Sequence, residues 1–266
     1  MGILNATPDS FSDGGQFSSL SRALEHVEAM QKAGVDIIDI GGESTRPNAS
    51  PVSESEELQR VIPIIQHIRA NDKAIKLSID TSKAVVMQAA IDAGVDMVND
   101  VRALQQDGTL AVCAASNVSV CLMHMQGQPD TMQNQPTYHH VVEQVKDFFQ
   151  QRIHACENAG IDRSRLILDV GFGFGKTLEH NVQLLAELAQ FKSFGLPLLA
   201  GISRKTMIGA LLENAPVDQR LYGSLSAAVI ACLNGASIIR VHDVKATVEA
   251  LNVADAIRVS STHPVS

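Results

Sequence analysis

"AGVDIIDIGG" runs from Ala33 to Gly42, and "AGVDMVND", from Ala93 to Asp100, repeats its opening. Each copy places a glycine after an amphipathic stretch and an apolar run after the glycine. A glycine there suits a left-handed helix C-cap. A nearly continuous apolar run suits a strand buried on both faces. "AGI" at 159–161 and "GAS" at 235–237 hold similar places, and Gly195 marks another joint. The chain thus carries a weak internal repeat of one helix-to-strand unit.

Working outward, eight short runs read as strands: Gly2–Asn5, Val35–Ile40, Ile75–Asp80, Val95–Asn99, Val118–Met123, Leu166–Asp169, Leu196–Gly201 and Ile238–Val241. Helical patterns lie between them. In 141–156, Val141, Val142, Val145, Phe148, Phe149, Ile153 and Cys156 recur at helical spacing, and in 21–33, Leu24, Val27, Met30 and Ala33 do the same. Alternation of this kind through 266 residues, with no linker or break in composition, indicates an α/β (β/α)8 TIM barrel, a single domain spanning 1–266. The alternative is an open doubly wound sheet, which would carry a full dinucleotide fingerprint. Two long non-helical stretches, roughly 6–18 and 41–53, follow strands and read as loops over the catalytic face.

Composition narrows the function. Hydrophobic residues make up 45% of the chain, enough for a large core, and the formal charge of -8 argues against a nucleic-acid partner. Any anionic ligand must meet locally clustered cations. Cys113, Cys121, Cys156 and Cys232 form no CxxC pair and lie in apolar stretches, as reduced thiols of a cytoplasmic protein do. "MGILNATPDS" has no basic region followed by a long apolar run, so no signal peptide is expected, and no apolar run is long enough to span a membrane.

"VGFGFGKT", 170–177, resembles a phosphate loop, but the pattern needs glycine where Val170 stands. Its glycines are then better read as the means of a sharp turn after Asp169.

In a barrel, function sits where strands end. Those positions hold Asn5, Gly41-Gly42-Glu43, Asp80, Asn99-Asp100, His124, Asp169, Ser203-Arg204-Lys205, Arg240 and His242. A single polar strand end means only solvent; eight facing one mouth mean a site. Asp80, Asn99 and Asp169 suit the N–H edge of a flat amino-heterocycle. They also fit a metal cluster or helix caps, Asp80 before Thr81-Ser82 being one such cap. Arg240 and His242, two apart on one face, join Lys205 and Arg46 as a cationic pocket, or as an ion-pair network with Asp243. Ser203 reads as the N-cap of a helix whose basic start, Arg204-Lys205, attracts an anion. His124, between two methionines, reads as a packing residue.

"MGILNATPDSFSDGG", "DIGGESTRP", "IDTSK", "VNDVR", "CLMHMQG", "DVGFGFGK", "GISRK" and "IIRVHDV" fall in the order seen in the dihydropteroate synthases of bacterial folate synthesis, which the chain resembles from Met1 to about residue 258. The resemblance implies a (β/α)8 barrel that joins 6-hydroxymethyl-7,8-dihydropterin diphosphate to 4-aminobenzoate, giving 7,8-dihydropteroate and diphosphate, with Mg²⁺ as cofactor. It also implies a homodimer and competition by sulfonamides. By motif, Asn5 resembles the magnesium-linked residue; Thr45, Arg240 and His242 the diphosphate side; Asp80, Asn99, Asp169 and Lys205 the pterin set. Arg46, Pro47, Phe174 and Ser203 resemble the aminobenzoate pocket. The catalytic group would be Asn5, Thr45, Arg46, Lys205, Arg240 and His242. The implied path is SN1-like loss of diphosphate.

Two departures carry expectations. The family has a strand or hairpin before "MGILN", whose lack predicts a poorly sealed first strand and barrel floor. Val170 replaces a common proline, which predicts a looser turn after Asp169.

Overall fold

The computed structural model describes residues 1–6, 16–44, 51–127 and 136–262. Eight parallel strands are hydrogen-bonded in sequence order: β1 (Gly2–Asn5), β2 (Ile37–Gly41), β3 (Lys76–Asp80), β4 (Met97–Asp100), β5 (Ser119–Met123), β6 (Leu166–Asp169), β7 (Leu198–Ala200) and β8 (Ile238–Ile239). The sheet closes on itself. Gly2 bridges Val241, Ile3 N–H donates to the Val241 carbonyl at 3.0 Å, and Val241 N–H donates to the Met1 carbonyl at 2.9 Å. This is the predicted barrel, and the expected gap at the first strand is not found. Met1 is buried in the floor of the barrel, so β1 is paired on both sides.

Helices α1 (Gln16–Lys32), α2 (Glu54–Asn71), α3 (Ala84–Asp92), α4 (Thr109–Ala114), α5 (Val141–Asn158), α6 (Leu178–Ala186), α7 (Thr206–Leu211), α8 (Leu221–Leu233) and α9 (Val244–Thr262) surround the sheet. Their sequences explain their placement. In α2, Ser53 accepts a hydrogen bond from Glu56 N–H at 3.2 Å as N-cap, and Glu54, Glu56 and Glu57 oppose the positive helix start. Val61, Ile64, Ile65 and Ile68 form its buried stripe. α5 buries Val141, Val142, Val145, Phe149, Ile153 and Cys156 in the same way.

The repeated "AGVD" unit is a Schellman turn. Gly34 N–H donates to Gln31 and Val35 N–H to Met30; Gly94 N–H donates to Ile91 and Val95 N–H to Ala90. Both glycines have positive φ, +83° and +100°. The same pair of bonds recurs at Gly160-Ile161 and Gly235-Ala236. At the first two joints this explains why the predicted starts, Val35 and Val95, differ from the observed strands: the apolar residue after the glycine completes the helix cap, and the ladder begins later, at Ile37 and Met97.

Candidate active site

Strand parity sorts the barrel interior into two layers. Register places Ile3, Asp39 and Ser78 side by side, then Asn5, Gly41, Asp80 and Asn99, with Cys121 and Ile167 following. Alternate residues along a strand face the same side, so these all point inward. The floor is apolar: Met1, Ile37, Met97, Cys121, Ile167, Leu199 and Ile238. Above it lies a charged layer of Asp39, Asp80, Asn99, Asp169 and Arg240.

Arg240 organises that layer. Its Nε donates to Asp39 Oδ2 and its Nη2 to Asp80 Oδ2, each at 2.6 Å. Asn99 Nδ2 donates to the same Asp39 oxygen at 3.1 Å. Burial alone would lower the Arg240 pKa, but Asp39 and Asp80 outweigh it and hold the guanidinium charged. Burial drives Asp80 the other way, up to about 7, with Arg240 opposing. Asp169 is likewise raised by burial, against the pull of Lys205, and its Oδ1 accepts the Gly171 N–H at 2.8 Å. Lys205 donates to the Phe172 carbonyl, lies 4.5 Å from the Phe174 ring centroid, and is lowered by burial to about 8. The result is a mouth with carboxylate and amide groups at the ends of β3, β4 and β6 and a cation over an aromatic ring beside them. A planar, donor-edged heterocycle fits that arrangement, with hydrogen bonds strengthened by the buried setting.

Arg240 is thus held between two carboxylates, and His242 is the neighbour that reaches further out. Ser203 Oγ lies 3.1 Å from His242 Nδ1 and accepts the His242 N–H at 3.2 Å. Ser203 therefore meets the His242 side of the mouth. It is not the cap of α7: the N-cap position is Lys205, with no side-chain cap bond. Nor do Arg204 and Lys205 form an open anion site at that helix, because Arg204 pairs with Asp243 through both Nε and Nη2. The cap reading of Asp80 also fails, since Lys83 precedes α3 and Asp80 is engaged by Arg240. Asp100 points out of the barrel and accepts N–H bonds from Arg102 at 2.8 Å and Leu104 at 2.7 Å. Thr45, Arg46 and Pro47 lie outside the described residues.

The glycine-rich turn is a joint between loops. A Cβ at Gly171 would sit 1.9 Å from the His124 carbonyl oxygen, and one at Gly175 2.3 Å from that of Gln126. Only glycine lets the two backbones touch. Lys176 is buried and closes the turn on itself, donating to the carbonyls of Gly171 at 2.9 Å and Phe174 at 3.0 Å and lying 2.9 Å from His124 Nδ1. His124, pushed down to about 2 by burial and Lys176, is a neutral packing group edge-on to Phe148. Lys176 is therefore no phosphate ligand. Val170 is buried in the core, so its side chain takes a packing place at that turn.

Residues 1–242 match the family described as pterin binding enzyme. The chain belongs to the pterin-binding enzyme family. Dihydropteroate synthase of Haemophilus influenzae is 55% identical to it over 253 residues, 95% of this chain and 91% of that protein. Among solved structures, Yersinia pestis dihydropteroate synthase in complex with a sulfonamide drug is 53% identical with a TM-score of 0.92, covering 97% of this chain and 94% of that one. Xanthomonas albilineans dihydropteroate synthase with 4-aminobenzoic acid is 49% identical, with a TM-score of 0.91, covering 97% and 92%.

For a pterin-binding enzyme, the residue missed by reading strand ends is Asp39. It sits two places before the end of β2 and is fully buried. An aspartate inside the run "IIDIGG", on the inward parity set by Gly41, was the available signal.

Proposed function

We propose that the chain carries out the dihydropteroate synthase reaction, joining 6-hydroxymethyl-7,8-dihydropterin diphosphate to 4-aminobenzoate with release of diphosphate. The observation that carries this reading is the buried layer of Asp80, Asn99 and Asp169 with Lys205 and Arg240, in a member of a pterin-binding family. Asp169, Asp80 and Asn99 take the amino-pyrimidine edge, and Lys205 the opposite rim. Arg240 and His242 stand on the side from which diphosphate leaves.

The bond from the pterin methylene carbon to the diphosphate oxygen breaks first, and its electron pair leaves with diphosphate. Arg240 and His242 stabilise charge where it develops. The electron-rich pterin spreads the resulting cation, giving an SN1-like path. The neutral arylamine then forms the carbon–nitrogen bond, and its acidic anilinium proton is lost to water. No strong general base is required, so positioning and electrostatics carry the catalysis. Phe174 and Ser203, with Thr45, Arg46 and Pro47, make the aminobenzoate side, where sulfonamides compete.

Asn5 is the residue we assign to Mg²⁺. Among the described residues no three His, Cys, Asp or Glu side chains converge as a metal cluster. Mg²⁺ takes one or two protein oxygens and completes its shell with water and substrate phosphates. Asn5 offers one hard oxygen at the end of β1, in register with Gly41. The ion would supply charge neutralisation for the leaving diphosphate.

The assembly we assign is a homodimer through α8 and α9, where Tyr222, Ile230, Leu233, Val253 and Ile257 are exposed on two helices that pack together. The compartment we assign is the cytoplasm, which suits four free thiols. Among the described residues no helix is long and apolar enough to cross a membrane.

The test is to mix protein, pterin diphosphate, 4-aminobenzoate and Mg²⁺ and measure dihydropteroate and diphosphate. Both products in equal amounts are expected. No product from folded protein at any Mg²⁺ concentration overturns the reading.

A further inference from the structure

The geometry points to Asn181, on α6, as a positioning residue that holds Lys205 in place through the turn between β6 and α6. Asn181 is buried, and its Oδ1 accepts the Gly173 N–H at 2.7 Å. Gly173 stands between the two residues that Lys205 touches. The Phe172 carbonyl accepts the Lys205 ammonium, and the Phe174 ring centroid lies 4.5 Å from Lys205 Nζ. A Cβ at Gly173 would itself meet Lys205 Cδ at 3.4 Å. One hydrogen bond from α6 thus fixes the middle of the turn on which the lysine rests. The other end of the same amide is engaged there too. Nδ2 donates to the carbonyls of Thr177 at 2.6 Å and Lys176 at 3.3 Å. Lys176 in turn donates to the carbonyls of Gly171 and Phe174, so both sides of Gly173 are tied to one anchor.

The start of α6 does not need Asn181. Thr177 and His180 already form a capping box: the Thr177 hydroxyl accepts the His180 N–H at 3.3 Å, and His180 Nδ1 accepts the Thr177 N–H at 3.2 Å. The Thr177 carbonyl is already taken by the Asn181 backbone N–H at 3.1 Å. Asparagine is a poor helix former, and the other buried positions of α6 are Leu184 and Leu185. What Asn181 adds that a leucine would not is the acceptor for Gly173. A turn free to rotate would carry the Phe172 carbonyl and the Phe174 ring away from Lys205. A shift of about 1 Å in a positioning group is enough to cost roughly 10²-fold in rate. This inference rests on the reading that Lys205 binds the pterin.

The experiment compares wild type with Asn181→Ala and with Leu184→Ala, a buried apolar position three residues further along the same helix. Affinity for a diphosphate-free pterin is measured by calorimetry, and stability by denaturant unfolding. Asn181→Ala should weaken pterin binding about tenfold. Leu184→Ala should lose at least as much stability and stay within roughly twofold of wild-type affinity. In a Lys205→Met background, Asn181→Ala should change kcat/KM by less than about twofold, because its effect passes through Lys205. Wild-type affinity in Asn181→Ala, an equal loss in Leu184→Ala, or full additivity with Lys205→Met overturns the proposal. If Asn181→Ala does not fold, Asn181→Ser carries the same comparison, since its hydroxyl bonds back to the Thr177 carbonyl but falls short of Gly173. Failure of wild type to bind pterin would instead defeat the pterin reading, so the two failures are distinct.

Discussion

The floor and the charged layer of this barrel are built by the same strands, two residues apart. Below, Met97 and Ile167 stand on β4 and β6; above them, on the same faces, stand Asn99 and Asp169. The floor packs mainly apolar side chains and contributes to stability by burial. The upper layer buries carboxylates whose ionised forms are disfavoured by burial. The contrast teaches that one strand can divide its labour by depth, the lower residue holding the fold and the upper one, on the proposed function, holding ligand at some cost to it.

Substitutions on the two sides of that boundary should separate cleanly. Asp169→Ala removes a buried acceptor and should lower kcat/KM by roughly 10³-fold, about 4 kcal/mol, while thermal unfolding stays near wild type. Leu199→Ala, in the floor, should lower unfolding free energy by about 3 kcal/mol with kcat/KM nearly unchanged once folded, as denaturant titration and steady-state rates will show. His242→Ala sits at the outer rim. It should reduce turnover and diphosphate product binding by about 1–2 kcal/mol, leaving the affinity for a diphosphate-free pterin intact in calorimetry.

The smallest effect is in pH. Burial lowers Lys205 to about 8, so it is charged below that value and loses its proton as pH rises through it. Pterin affinity should therefore fall on the alkaline side with a midpoint near 8. Lys205→Arg should remove that limb, because arginine keeps its charge. A limb that persists in Lys205→Arg would assign the titration elsewhere.

Much of this was legible in sequence, for identifiable reasons. Gly2–Asn5 and Leu166–Asp169 are read to the residue because each apolar run ends directly in a polar side chain. Val35 and Val95 are read as strand because they are β-branched and apolar, yet their N–H groups complete helix caps. Asp80, Asn99 and Asp169, the proposed pterin acceptors, were legible as candidates because a barrel places function at strand ends. Asp39 was not, because it lies mid-strand and only its parity with Gly41 reveals that it faces inward. Ser203 and Arg204 were misread because a polar start before an apolar stripe looks like a cap, whereas tertiary partners His242 and Asp243 claim both side chains. The bonds from Lys83 to Glu43 and Glu57 join three elements far apart in sequence, and no local pattern announces them.

The most direct test of the division by depth is calorimetric titration of a diphosphate-free pterin into Asp169→Ala and Leu199→Ala, side by side, at a temperature where both are folded. The account predicts no binding heat for Asp169→Ala and wild-type affinity for Leu199→Ala. Normal binding by Asp169→Ala, or equal loss in both variants, would contradict it.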